Sequence, residues 1–141
     1  MSKIAVIYWS GAGNTEAMAE AVAEGARAAG GDVSLVTATD FDPASVDSYD
    51  GFAFGCPAMG AESLEEDEFE PMFTASEGKL TGKPVGLFGS YGWGDGEWMR
   101  TWMERCAANQ ISLVQDGVIC NDAPDHDDVE NCRQLGRKLV E

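Results

Sequence analysis

Ser10-Gly11-Ala12-Gly13-Asn14-Thr15 is the stretch of this 141-residue chain with the plainest capacity for chemistry. Two glycines let backbone N–H groups come close to a ligand, and Ser10, Asn14 and Thr15 add side-chain donors without a formal positive charge. The apolar run Ile4-Ala5-Val6-Ile7-Tyr8-Trp9 precedes it and a helical pattern opens at Glu16, so it reads as a strand-to-helix loop. Such a loop aims N–H groups outward at the positive end of a helix dipole, which makes an anion site with phosphate as its usual occupant. It holds no lysine, so it is not a Walker A motif, and its glycine spacing is not that of a dinucleotide fingerprint. Taken alone it is equally a Gly-rich turn before an N-capping residue.

Two further stretches carry unusual residues. Pro57-Ala58-Met59-Gly60-Ala61-Glu62 pairs a methionine with a glycine turn, and Ser90-Tyr91-Gly92-Trp93-Gly94-Asp95-Gly96 sets Trp93 among three glycines and an aspartate, with little to pack against. A phosphate nest, a Met-Gly turn and an exposed aromatic together suit a planar, partly apolar cofactor with a phosphate tail. Other chemistry is poorly provided for. Cys56, Cys106, Cys120 and Cys132 lack Cys-x-x-Cys spacing and sit in apolar patterns, so they read as reduced core thiols, with no metal site. The single histidine, His126, lies among acids in the first turn of a helix and reads as solvated. No Ser/His/Asp or Cys/His arrangement surrounds it.

The elements that must position these loops follow from apolar spacing. A nearly continuous apolar strand over residues 3–9 suggests burial on both faces, as in the middle of a parallel sheet. The next helix, from Glu16, places Met18, Val22, Ala26 and Ala29 on one side with Ala17, Ala21 and Gly25 beside them, small enough for close packing on a sheet. Glu16, Glu20 and Glu24 form its outer row, and Gly30-Gly31 ends it. Strands are expected over 32–37, 51–56, 85–89 and 112–120, with an irregular polar stretch through Pro43 after the second. Helices are expected over 64–75, around Trp98, Met99, Trp102, Met103 and Cys106, and from about Asp125 with Val129, Cys132, Leu135, Gly136 and Leu139 on one face. Asp127 and Asp128 begin that last helix, and Arg137 and Lys138 end it, matching its dipole.

Strands alternating with helices predict right-handed crossovers and one α/β domain over residues 1–141. The expected fold is a three-layer sandwich around a five-stranded parallel sheet. Ligands in such folds sit outside the carboxyl ends of the strands where strand order reverses, and the three special loops follow strands one, three and four. A net charge of −16 with only nine Lys and Arg excludes a general nucleic-acid binder and disfavours an acidic membrane surface. With no long apolar run and no signal-peptide pattern, a soluble, cytoplasmic protein is expected. Its acidity would steer it toward basic protein surfaces.

The segments Tyr8-Trp9-Ser10-Gly11-Ala12-Gly13-Asn14-Thr15-Glu16, Gly55-Cys56-Pro57-Ala58-Met59-Gly60 and Val85-Gly86-Leu87-Phe88-Gly89-Ser90-Tyr91-Gly92-Trp93-Gly94 resemble, in this order, the flavodoxins of the short-chain clostridial type. The likeness runs over nearly the whole chain, and no long-chain insertion fits between Ser112 and Cys120. The resemblance implies a flavodoxin-like sheet of order 2-1-3-4-5 and non-covalent FMN. It implies a monomeric, low-potential one-electron carrier that cycles through semiquinone and hydroquinone, serving redox proteins in place of ferredoxin. By the same resemblance the first loop holds the phosphate, through backbone N–H groups and Ser10, Asn14 and Thr15. Met59 and Trp93 cover opposite faces of the isoalloxazine ring, Glu62 accepts from ring N3–H, and the Gly60 carbonyl turns toward N5–H on reduction. The cofactor-binding residues it marks are Ser10, Gly11, Ala12, Gly13, Asn14, Thr15, Pro57, Ala58, Met59, Gly60, Glu62, Ser90, Tyr91, Gly92, Trp93 and Gly94.

Two departures stand out. Ala12 replaces the family's usual hydroxyl residue, and Pro57, where some relatives carry a hydroxyl, cannot donate a backbone hydrogen bond. Redox tuning is expected from two sources. Acids such as Glu62, Glu65, Glu66 and Asp95 would oppose a second negative charge on the ring, each by about 1.7 kcal/mol at 10 Å and an effective dielectric of 20. A turn Met59-Gly60-Ala61-Glu62 of type II′ would place positive φ at Gly60, whereas type II would place it at Ala61, where alanine resists it. Two other functions compete: a small FMN-dependent NAD(P)H oxidoreductase, for which no second nucleotide site is visible, and a receiver domain, which needs an aspartate where strand three ends in Cys56.

Overall fold

The alternation of side chains along the first apolar run divides the molecule. In the computed structural model, which describes residues 2–60 and 62–140, Lys3–Tyr8 forms strand β1. Its Ala5 and Ile7 point into one apolar core while Ile4 and Val6 point into another, as the two-residue period of a strand requires. Around it stand α1 (Asn14–Ala28), β2 (Asp32–Thr37), β3 (Gly51–Gly55), α2 (Phe69–Glu77), β4 (Val85–Tyr91), α3 (Glu97–Ala108), β5 (Val118–Asn121) and α4 (His126–Val140). The five strands pair in parallel in the order β2-β1-β3-β4-β5, the expected α/β topology. The chain reverses direction of winding between β1 and β3, and the register there sets Tyr8 beside Gly55 and Gly55 beside Phe88. The carboxyl ends of β1, β3 and β4 therefore lie side by side.

One face of the sheet carries the aromatic core. Phe52, Phe54, Phe69, Phe73, Trp98 and Trp102 are buried there, with Phe54 edge-on to Phe73 at 5.1 Å and Phe69 edge-on to Trp102 at 5.5 Å. Arg105 ties α3 to α2 over this layer, donating to Glu77 at 2.9 Å and to Glu70 at 2.8 Å. Burial opposes ionisation of Glu70, but hydrogen bonds from Arg105 and Thr74 outweigh it and hold the carboxyl below its usual range. The other face is covered by α1 and α4. A Cβ on Gly25 would stand 1.9 Å from the Arg133 carbonyl oxygen, and one on Gly136 would stand 2.0 Å from that of Val22. The close approach expected between α1 and the sheet is thus between α1 and α4. Ala17 and Ala29, expected on the inner side of α1, are exposed.

Several boundaries differ from those read in the sequence, each for a local reason. α1 begins at Asn14 rather than Glu16 because Gly13, at φ 95°, turns the chain into it. β1 stops at Tyr8 and β3 at Gly55, although Trp9 still donates to the Gly55 carbonyl at 3.0 Å. Within the stretch read as irregular, Pro43–Ser48 forms a 3-10 helix capped by Asp42. The helix expected over 64–75 starts only at Phe69, because the buried Glu65 carboxylate collects the N–H groups of Asp67, Glu68 and Phe69 at 2.9, 2.7 and 2.9 Å. β4 runs two residues past the expected end, to Tyr91. The expected strand 112–120 is broken: Leu113 bridges to Val85, the chain turns out, and pairing resumes at Val118. Trp98, Met99, Trp102 and Cys106 are buried as their spacing requires, and His126 is exposed.

Candidate cofactor-binding site

In the first loop, Ser10 Oγ accepts hydrogen bonds from Gly13 N at 3.1 Å and Glu16 N at 3.3 Å, so its lone pairs organise the loop while its hydroxyl hydrogen stays available to a ligand. Among the described residues, no acceptor is found for the N–H groups of Gly11, Ala12, Asn14 or Thr15. Unsatisfied N–H groups at a helix start are the donor set an anion requires. Thr15 is buried, and its Oγ1 accepts from Ser90 N at 3.4 Å, joining this loop to the end of β4. Trp9 lies against Gly11, where an added Cβ would stand 3.2 Å from its ring, and its indole donates to Glu68 at 2.8 Å. Hydrogen bonds from Thr39 and Trp9 hold the Glu68 carboxyl below its usual range.

The second segment is anchored at both ends. Ala58 N donates to Ser90 O at 3.1 Å, and Met59 and Ser63 exchange two backbone hydrogen bonds of 2.9 Å. The turn expected to close at Glu62 therefore closes one residue later, where Met59 and Ser63 pair antiparallel. Gly60 has φ 48° and Glu62 φ 54°; Ala61 lies outside the described residues. No atom comes within 4 Å of where a Gly60 Cβ would sit, so conformation rather than crowding calls for glycine there. Behind the segment, Trp98 donates to the Cys56 carbonyl at 3.1 Å, and the Cys56 sulfur accepts from Glu65 N at 3.3 Å. Burial pushes the Cys56 thiol up to about 12, leaving it neutral and unreactive at physiological pH. Glu65, expected to act electrostatically on a bound ring, instead caps the first turn of α2.

Across the cleft, Trp93 stands 54% exposed at the tip of the third loop and donates through Nε1 to Gly60 O at 3.3 Å. Glu62 Oε1 accepts from Glu97 N at 3.1 Å, so the carboxylate expected at a ring N3–H also caps α3. Gly94, at φ 79°, leaves room for it: a Cβ would stand 2.5 Å from the Glu62 carboxyl carbon. Arg100 holds the loop from outside through Asp95 at 2.9 Å.

These loops enclose a cavity of about 230 Å³. Of the residues marked by the resemblance, Ser10, Gly11, Ala12, Asn14, Thr15, Pro57, Ala58, Met59, Ser90, Tyr91, Gly92 and Trp93 line it, whereas Gly13, Gly60, Glu62 and Gly94 stand outside the lining. Gly13 and Gly94 shape their loops through positive φ, and Gly60 and Glu62 form the hairpin beside the opening. Asp122 was missed. It follows β5 directly, adopts φ 59°, receives the Ser90 hydroxyl on its carbonyl at 2.6 Å and presents its side chain beside Gly92. The rule that ligands sit at the carboxyl ends of strands would have reached it, but an aspartate in an acidic loop gives no local signal.

Free backbone donors, Met59 and Trp93 line one cavity, a lining of the right chemistry for a phosphorylated planar ring, in an α/β protein whose cavity lies at the reversal of strand order. The sequence model of the family described as Flavodoxin matches residues 6–136. A flavodoxin of Megasphaera elsdenii is 45% identical over 133 residues, covering 94% of this chain and 95% of its own. One of Clostridium beijerinckii is 42% identical over 135 residues, covering 96% and 97%. The solution structure of two-electron reduced Megasphaera elsdenii flavodoxin superposes with a TM-score of 0.88 at 44% identity, covering 97% of this chain and 98% of that one. The chain belongs to the flavodoxin family, whose members are FMN-binding electron carriers.

Proposed function

We propose that this chain, as one domain, shuttles single electrons between redox proteins on FMN held in the cavity at the carboxyl ends of β1, β3 and β4. The observation that carries the reading is the convergence of three separate loops on one space, whose lining combines free backbone donors with Met59 and Trp93. Bound FMN supplies the redox chemistry, accepting and releasing one electron at a time. The protein supplies position and field. The N–H groups of Gly11, Ala12, Asn14 and Thr15, with the Asn14 side chain and the hydroxyls of Ser10 and Thr15, would hold the phosphate, and Met59 and Trp93 would cover the ring faces. The acids Glu62, Glu66, Asp95 and Asp122 would disfavour a further electron on the bound ring. Pro57 offers no N–H to the site, and the N–H groups of Ala58 and Met59 after it are engaged by the carbonyls of Ser90 and Ser63.

The protein acts as a carrier rather than an NAD(P)H reductase, is monomeric and cytoplasmic, and meets partners that present basic docking surfaces. Among the described residues no helix is long and apolar enough to cross a membrane. Titrating FMN into the flavin-free full-length protein tests the reading. Stoichiometric uptake, a two-step reductive titration and no steady NADH oxidation are expected. A chain that ignores FMN, or turns over NADH, refutes it.

A further inference from the structure

Trp9 stands between the end of β1 and the donor loop, and its side chain is held by a different part of the fold. Its backbone N–H donates to the Gly55 carbonyl at 3.0 Å, which fixes the main chain, and its indole Nε1 donates to Glu68 Oε1 at 2.8 Å, which fixes the ring. The ring limits Gly11: a Cβ added there would stand 3.2 Å from Cη2 and 3.4 Å from Cζ3 of Trp9. We propose that Glu68 is a positioning residue for the phosphate loop: by holding the Trp9 indole against Gly11 it keeps the free N–H groups of Gly11 and Ala12 aimed at the bound anion. This inference rests on the proposed FMN site.

Glu68 is itself fixed from three directions. Its backbone N–H donates to Glu65 Oε1 at 2.7 Å, its Oε1 takes the Trp9 indole and its Oε2 takes the Thr39 hydroxyl. Thr39 follows β2, Glu68 precedes α2 and Trp9 follows β1, so one carboxylate joins three segments distant in the chain. The hydrogen bonds from Thr39 and Trp9 hold the carboxyl below its usual range, so it stays an anionic acceptor well below neutral pH. Trp9, Thr39 and Glu68 line a second cavity, of about 230 Å³, that shares Ser10 with the cofactor cavity. The cofactor cavity's own lining includes neither Trp9 nor Glu68, so the brace acts on a ligand through the loop. Without the carboxylate the indole is free to take other rotamers, and Gly11, which has no side chain of its own, loses the surface that limits its backbone. A carboxylate near a bound phosphate opposes it by charge, so a favourable effect of Glu68 has to come through geometry. The two effects have opposite signs, which lets an experiment separate them.

The test compares Glu68→Gln with Glu68→Ala in the full-length protein. Both remove the negative charge, while glutamine keeps an oxygen that accepts from Trp9 and an amide that donates to Thr39. In the flavin-free chain, the Trp9 Nε1–H proton resonance is expected to move upfield in Glu68→Ala and to stay near its hydrogen-bonded position in Glu68→Gln. Dissociation constants for FMN, and for inorganic phosphate followed at the Gly11 and Ala12 amide resonances, are expected to be about three- to tenfold weaker in Glu68→Ala than in Glu68→Gln. Equal constants in the two variants overturn the proposal, as does a Trp9 resonance that ignores both substitutions. A loss confined to FMN, with phosphate affinity equal, also overturns it, because the effect would then lie at the ring rather than at the loop. If Glu68→Ala does not fold, Trp9→Phe, which keeps a ring beside Gly11 and removes the donor, carries the same comparison against the wild type. A wild-type chain that takes up neither FMN nor phosphate refutes the function reading instead, and the Trp9 resonance still upholds or overturns the contact.

Discussion

Position 12 shows how much one side chain decides. Ala12 is exposed, lines the cavity and follows Gly11 in the donor loop, so a hydroxyl there would face the bound anion. Hydrogen bonds to charged groups contribute about 1.5–3 kcal/mol, so Ala12→Thr should tighten FMN binding by about tenfold or more, measured as dissociation constants at matched salt. Gly60 is a second such position. Its φ of 48° would cost alanine about 1–2 kcal/mol. Gly60→Ala should therefore destabilise the flavin-free fold by about that amount, read as a lower midpoint in urea titrations. The thiols set a pH limit. Burial pushes Cys56 and Cys132 up to about 12, and Cys106 and Cys120 up to about 11, from the ordinary 9.0. Groups whose folded values lie above their unfolded ones stabilise the fold fully below the unfolded value and lose that contribution as pH rises through the folded one. Stability should therefore fall from about pH 9 toward pH 12, each thiol adding up to about 1.4 kcal/mol per pH unit. Cys132→Ala should flatten the decline in urea titrations across that range.

Between elements, the closest approach is the pair of glycines that let α1 and α4 touch. Backbone carbonyl oxygens stand 1.9 and 2.0 Å from where Cβ atoms on Gly25 and Gly136 would be, and neither helix can retreat without leaving the sheet. Overpacking of this kind costs about 1–3 kcal/mol or more. Gly136→Ala should lower the melting temperature of the flavin-free protein by roughly 5–10 °C, with FMN affinity little altered in the fraction that stays folded. That separation of effects follows from geometry. The α1–α4 seam lies against the face of the sheet, whereas the loops that build the site project from its edge. Glu65 works at the same scale: by taking three N–H groups it delays α2, and the residues thereby freed lead from the Met59–Ser63 pair into the helix.

Across the whole molecule the dominant quantity is the net charge of −16. Fields of this size accelerate encounter with an oppositely charged partner and are screened within about 8–10 Å at physiological salt. Electron transfer to a basic partner should slow steeply as sodium chloride is raised in stopped-flow experiments, with the unimolecular rate inside the complex nearly constant. A rate indifferent to salt would count against docking at an acidic surface.

Apolar spacing was enough to foresee five parallel strands, the crossover helices and the convergence of loops after strands one, three and four. These follow from side-chain period and from the handedness of the backbone, both local to the chain. The Ser10–Thr15 motif, Met59 and Trp93 were legible for the same reason, since glycine placement and an unpackable aromatic are written in neighbouring residues. Tertiary structure alone decided which residue answers which. Glu62 reaches the start of α3, Thr15 receives the Ser90 N–H, Trp93 finds the Gly60 carbonyl, and Asp122 arrives beside Gly92. Each of these pairs brings together residues distant in the chain, and their meeting depends on sheet register and loop closure, which no local pattern of residue types encodes.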